Sequence, residues 1–130
     1  MTPYVPEVIL GLVEIVVTDE FAAWFDALTQ PERAAVVKVV DYLERYGVTL
    51  PFPYSSGLQS SKCGLRELRC KQGTSPIRIA YGFDPERNAV LLTGGDKSGG
   101  SSDAFYQRFA AESDRIWEEY LAELAQRRRP

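Results

Sequence analysis

Arg66-Glu-Leu-Arg-Cys-Lys71, Ile77-Arg-Ile-Ala-Tyr-Gly-Phe83 and Val90-Leu-Leu-Thr-Gly-Gly-Asp-Lys97 decide how this chain folds. The three runs are rich in Leu, Ile, Val and Tyr, and turn residues separate them. Gln72 to Pro76 divides the first two. Asp84-Pro-Glu-Arg-Asn88 divides the second pair, with Pro85 placed for a type I turn. Strands are therefore expected at Leu65–Cys70, Ile77–Phe83 and Ala89–Thr93, joined as a small antiparallel sheet.

Alternation assigns faces to these strands. Leu65, Glu67 and Arg69 share one side of the first, and Arg66, Leu68 and Cys70 the other. In the second, Ile77, Ile79, Tyr81 and Phe83 form the large apolar set, opposite Arg78, Ala80 and Gly82. The reading that follows turns Arg78 outward over a floor of small residues with room for a ligand. The plain alternative is an Arg paired across the hairpin with Glu67, and one arrangement could serve both.

Upstream, Leu12 to Val17 is a β-branched run that reads as a strand. Thr18 can cap the helix after it, where Phe21, Trp24, Phe25 and Leu28 fall on one face. Thr29-Gln-Pro-Glu32 has the spacing of a capping box with Pro31 in the first turn. Val36, Val39, Val40 and Leu43 continue that second helix to a stop at Gly47. Gly47 to Gly64 reads as a long loop. Asp103 can cap a final helix built on Phe105, Phe109, Ile116, Trp117, Tyr120, Leu121 and Leu124. Residues 1–11, with a short strand at Val8 to Leu10, read as an extended arm, and 125–130 as a basic tail. The fold class expected is α+β, a helical hairpin and a C-terminal helix on a mainly antiparallel sheet.

The 130 residues suffice for one domain with a real core and not for two. Met1 to Leu12 lacks the basic start of a signal peptide and no apolar run approaches a membrane span, so a cytoplasmic location is expected. There is no histidine. This excludes His-type zinc sites and Ser-His or Cys-His nucleophile systems. Two cysteines, Cys63 and Cys70, make no disulfide framework and read as reduced thiols.

Charge is unevenly spread. The whole chain carries a net −3, yet Lys62 to Lys97 holds seven bases against four acids. An anion responds to charge within about 8 Å in physiological salt. The acidic total therefore argues against non-specific nucleic-acid binding and leaves room for a local anion site. A merely solvated sheet face is the bland alternative. Gly94 to Gly100 reads as a glycine-rich loop, but it lacks the spacing of a nucleotide-binding P-loop. Asp96, Asp84 and Glu67 are not spaced as a ligand set. No cofactor or metal is expected.

The order strand, helix, helix, three strands and a helix, with Glu67-Leu-Arg69, Ile77-Arg-Ile-Ala-Tyr81 and Leu91-Leu-Thr-Gly-Gly-Asp-Lys97, resembles the RelE/ParE superfamily of toxin–antitoxin toxins. Its HigB-like, phage Gp49-related branch is the most similar. The resemblance runs from about Val13 to Leu124. It implies a toxin held in check by a cognate antitoxin, often of the helix-turn-helix type. It also implies mRNA cleavage on the ribosome without a metal, or, for ParE-like members, inhibition of DNA gyrase.

Carried over by position, the resemblance picks out Arg78 on the second hairpin strand, Arg69 closing Glu-Leu-Arg, Lys97 after the last strand and Tyr106 near the C-terminal tyrosine of some nuclease members. The expected chemistry is attack of an RNA 2′-OH on the adjacent phosphate. Arg78 and Arg69 would steady the phosphate, Lys97 or Lys62 would move protons, and Tyr106 would stack or transfer a proton. The alternatives are a ParE-like inhibitor acting through the helical hairpin and a member that has lost catalysis, since two family lysine places hold Leu65 and Glu67.

Overall fold

Thr18 starts the first helix and ties it to the sheet. Its hydroxyl accepts from the Phe21 amide at 3.0 Å and donates to the Leu92 carbonyl at 2.7 Å. The computed structural model describes residues 12–129. In chain order they form β1 (Ile15–Val17), α1 (Asp19–Asp26), α2 (Gln30–Tyr46), a 3-10 turn (Gly47–Thr49), β2 (Ser55–Gly57), β3 (Arg66–Gln72), β4 (Ser75–Phe83), β5 (Ala89–Asp96) and α3 (Ser102–Arg127). The arm expected at 1–11, with its strand at Val8 to Leu10, lies outside the described residues.

The sheet order is β1-β5-β4-β3-β2. β1 runs parallel to β5, and the other neighbours are antiparallel. The α+β class holds. β2 corrects the expected long loop: Ser55, Ser56 and Gly57 pair with Leu68, Glu67 and Arg66 as an edge strand. Three residues without large apolar groups leave little strand signal, so pairing to β3 rather than propensity makes this strand. The final helix extends to Arg127, into the stretch expected to be tail.

Helix boundaries follow local chemistry. Thr29 and Glu32 complete the capping box of α2, with Thr29 N–H donating to Glu32 Oε1 at 2.8 Å. Such a cap contributes about 1 kcal/mol. At the other end Gly47 takes φ +54° and donates to Leu43 O, a conformation that suits glycine.

Both faces of the sheet are covered. The hairpin α1–α2 packs on one, burying Phe21, Val36, Val39 and Leu43 against Leu68, Ile77, Ile79, Tyr81 and Leu91. α3 packs on the other, burying Phe109, Ile116 and Trp117 against Leu65, Ala80, Val90 and Leu92. This corrects the outward placement of Arg78. The Arg78–Ala80–Gly82 face lies under α3, and Arg78 is 6% exposed. The small floor accommodates the helix, since a Cβ on Gly82 would lie 2.9 Å from Leu65 and 3.1 Å from Trp117.

β5 runs three residues beyond the expected end at Thr93, so Gly94 and Gly95 are strand rather than loop. A bulge explains both glycines. Ala80 pairs with Thr93 while Tyr81 pairs with Leu91, so Leu92 is the extra residue and the alternation of β5 shifts phase. Gly94 then meets Trp24 of α1, where a Cβ would lie 2.4 Å from the indole. Gly95 meets Phe105 of α3, where it would lie 3.1 Å from the ring.

Candidate functional site

Glu67, on β3, is the centre of the site. It is 2% exposed, and four groups converge on its carboxylate. Tyr106 of α3 donates its hydroxyl to Oε1 at 2.7 Å. Arg78 of β4 places Nε 3.7 Å from the same oxygen. Arg69, two residues along β3 on the same face, donates Nη1 to Oε2 at 3.3 Å. Ser56 of the edge strand donates to Oε2 at 2.9 Å.

The ladder makes this arrangement. Arg69 is opposite Arg78, and Arg78 is opposite Gly95, so two guanidiniums and a glycine cross the sheet in one row under the start of α3. Two like charges opposed across strands repel, and the carboxylate of Glu67 offsets that cost. Arg78 also donates to the Tyr106 hydroxyl at 3.3 Å and to Ile77 O at 3.1 Å. Tyr106 therefore sits between a cation and an anion. Burial, then its hydrogen bond to Glu67, raises its pKa, with Arg78 opposing.

Lys97 completes the group from the end of β5. Its Nζ lies over the Tyr106 ring, 5.6 Å from the centroid, and its amide donates to Pro76 O at 2.9 Å. Of the five residues expected from the sequence, Arg78, Arg69, Lys97 and Tyr106 are thus brought together. Lys62 is not among them. Its amide is held by Asp114 at 2.8 Å, eight residues along α3 from Tyr106, or about 12 Å at the helical rise.

Exposure separates the members. Glu67, Arg78 and Tyr106 are buried, whereas the Arg69 side chain is 31% exposed and Lys97 is partly exposed. Two guanidiniums pair with one carboxylate and an ammonium lies over the neighbouring Tyr106 ring, so these four charged groups sum to a positive surplus. Asp96, next to Lys97, turns its Oδ1 to the amide and hydroxyl of Ser98 and makes no ion pair among the described residues.

Asp84 is engaged elsewhere. Burial alone would raise its pKa, but hydrogen bonds from Tyr120 and Asn88 and the Glu86 amide outweigh this and hold it below the usual value. Among the described residues no three Asp, Glu, Cys or His side chains group as a metal site. Cys63 and Cys70 are free thiols, and burial pushes Cys70 up to about 11, with Arg78 opposing.

Sequence reasoning weighed Glu67 as a partner for Arg78 and as a metal ligand but not as the centre of a site, and it missed Ser56. The alternation of Glu67 with Arg69 was the available signal for the first. Ser56 gave none, because its strand is set by pairing.

Residues 23–117 match the family described as "Phage derived protein Gp49-like (DUF891)". The chain belongs to this Gp49-like family. Two relatives come from Mycobacterium tuberculosis. One, named "Putative toxin HigB3", is 41% identical over 86 residues, 65% of this chain and 74% of its own length. The other, named "Putative toxin HigB2", is 30% identical over 108 residues, and the match covers 82% of this chain and 53% of that protein. The Gp49-like match and these names place the chain in the HigB-like part of the RelE/ParE-type toxin–antitoxin group. The Gp49-like region takes in every residue of the Glu67 cluster.

Proposed function

We propose that this chain is the toxin of a type II toxin–antitoxin pair and that the Glu67 cluster cleaves mRNA on the ribosome without a metal. One observation carries the reading: two guanidiniums share the single carboxylate of Glu67 while a lysine stands over the Tyr106 ring beside them, which supports cationic charge free for a phosphate. Family membership supports the coarser part. In the cell it would work in the cytoplasm under a cognate antitoxin of the helix-turn-helix type.

In the reaction the 2′-oxygen bonds to the adjacent phosphorus and the P–O5′ bond breaks. A 2′,3′-cyclic phosphate and a 5′-hydroxyl result. The 2′-proton must go to a base and the 5′-oxygen must gain one from an acid. Arg69 and Lys97, at the opening, would contact the phosphate and offset the charge of the phosphorane. Arg78 adds positive potential from beneath and fixes the Tyr106 hydroxyl. Tyr106, with Glu67 as its acceptor, would be the proton-transfer group, and Lys97 the second. The raised pKa keeps the Tyr106 hydroxyl protonated in the free protein, which suits it to give a proton to the 5′-oxygen rather than to take one from the 2′-hydroxyl.

The test is induction in bacteria without antitoxin, followed by mapping of transcript 5′ ends. Growth arrest with new 5′-hydroxyl ends inside coding regions is expected, and Arg69→Gln with Lys97→Gln should abolish both. Intact transcripts with damaged DNA would replace this reading by gyrase inhibition. Growth without arrest would replace it by a member that has lost toxicity.

One observation favours the inhibitor reading. A groove of about 290 Å³ runs between the helical hairpin and the sheet, lined by Ile15, Val17, Phe25, Val37 and Val40 among others. Val17 and Val37 are about half exposed there. A protein target could seat on this apolar face without the cluster taking part.

A further inference from the structure

Beside the cluster lies a second feature that the cleavage chemistry does not use. The Arg69 guanidinium stands over the Phe52 ring, 5.4 Å from its centroid. Phe52 is 70% exposed, although Leu50 close by is buried. Tyr54, 42% exposed, is fixed edge-on against Tyr42 with ring centroids 5.1 Å apart. Its carbonyl accepts from the Arg69 amide at 2.9 Å, which locks the aromatic loop to β3.

Two cavities, of about 600 and 240 Å³, open here and share Tyr54, Arg69, Cys70 and Lys71. Arg78 lines the larger and Lys38 the smaller, and among the described residues no acidic side chain lines either. Carboxylates gather at the opposite edge of the sheet instead. There Asp19, Glu20, Glu119 and Glu123 line a cavity beside β1.

We propose that Phe52 and Tyr54 form a stacking platform for the bases of single-stranded RNA, placed so that Arg69 and Lys71 hold the backbone between platform and cluster. Flat, exposed rings beside cations are the chemistry that takes unpaired bases and their phosphates together. Arg69 links the two sites, because the same guanidinium covers Phe52 and bonds Glu67. The platform rests on the RNA-cleavage reading for its choice of ligand, and it adds a subsite that sets where bases sit relative to the scissile phosphate.

The experiment measures anisotropy of a short fluorescein-labelled 2′-O-methyl RNA, which binds but cannot undergo 2′-oxygen attack. The same backbone with abasic sites and a polyglutamate peptide serve as comparison probes. Wild type should bind the base-bearing RNA, and Phe52→Leu should weaken it about 5-fold or more, the scale of one lost base stack. Binding of the abasic strand should be equal in the two proteins. Tyr54→Leu should give the same pattern, and unchanged thermal melting of Phe52→Leu would show that the fold is intact. No RNA binding by wild type, equal weakening on both strands, or Phe52-dependent binding of polyglutamate alone would overturn the platform. Transcript cleavage read separately distinguishes the failures. Cleavage that persists with Phe52→Leu, alongside unchanged RNA binding, removes the platform and leaves the nuclease reading. Base-dependent binding without cleavage does the reverse.

Discussion

Tyr106 and Glu67, thirty-nine residues apart, meet through a 2.7 Å hydrogen bond that closes α3 onto β3. The bond joins two buried side chains at the place where two arginines also converge. It does two things at once: it seats the start of the last helix, and it gives the carboxylate a donor that carries no charge.

Removing either partner should therefore be costly, and unequally so. Glu67→Ala leaves Arg78 buried without its counter-charge and should cost about 3–5 kcal/mol. Tyr106→Phe removes one hydroxyl and should cost about 1–3 kcal/mol. Urea unfolding of the two variants should rank them in that order. Equal losses would mean that Glu67 is not the hub of the network.

The opening cations should matter for activity more than for folding. Arg69→Gln or Lys97→Gln removes one charged contact to the phosphate, worth about 1.5–3 kcal/mol, or roughly ten- to a hundredfold in transcript cleavage. The Arg69–Glu67 pair is partly exposed, so the stability change should stay within about 1 kcal/mol. The measurement pairs a cleavage assay with a thermal melt of the same variant.

Gly94→Ala should be among the most damaging single changes in β5. Its Cβ would lie 2.4 Å from the Trp24 indole, so the indole or α1 with it must shift. Overpacking of this kind costs about 1–3 kcal/mol, occasionally more. Gly95→Ala, with 3.1 Å to Phe105, should cost less. A melt of each variant orders them.

Stability should fall at both ends of the pH range. Tyr120 is raised from 10.0 to about 12 by burial and by Asp84, so the folded state keeps a proton that the unfolded chain has lost between these values. Its contribution is present below pH 10 and declines as pH rises towards about 12. Asp84 is lowered, so its contribution is present above the ordinary carboxyl value and is lost as pH falls through the depressed one. Tyr120→Phe should flatten the alkaline limb and soften the acid one in urea titrations taken across pH.

Local chemistry was legible. The capping box of Thr29 and Glu32, the Thr18 cap, the aromatic face of α1 and the Asp84–Asn88 turn all come from neighbours within a few residues, and they stand as read. The three central strands were legible for the same reason, since apolar alternation and turn residues are local signals. All five candidate residues were named through the resemblance, and four of them, Arg78, Arg69, Lys97 and Tyr106, lie together in the structure.

What the chain could not announce was that both faces of β4 would be covered. Arg78 beside Ala80 and Gly82 reads as an open floor until Trp117, thirty-nine residues beyond Arg78, fills the space over Gly82. Likewise the bulge at Leu92 shifts the phase of β5, and only pairing with β4 makes it. β2 exists because β3 offers it hydrogen bonds. The sequence by itself determined the three helices, the central strands, the Thr18 and Thr29 caps and the chemical types gathered for the site, while the cap of α3 fell on Ser101 rather than the expected Asp103. Tertiary packing alone decided that Arg78, Tyr106 and Glu67 are buried together while Arg69, Lys97 and Phe52 stand open, because burial depends on which distant helix lands on which face of the sheet.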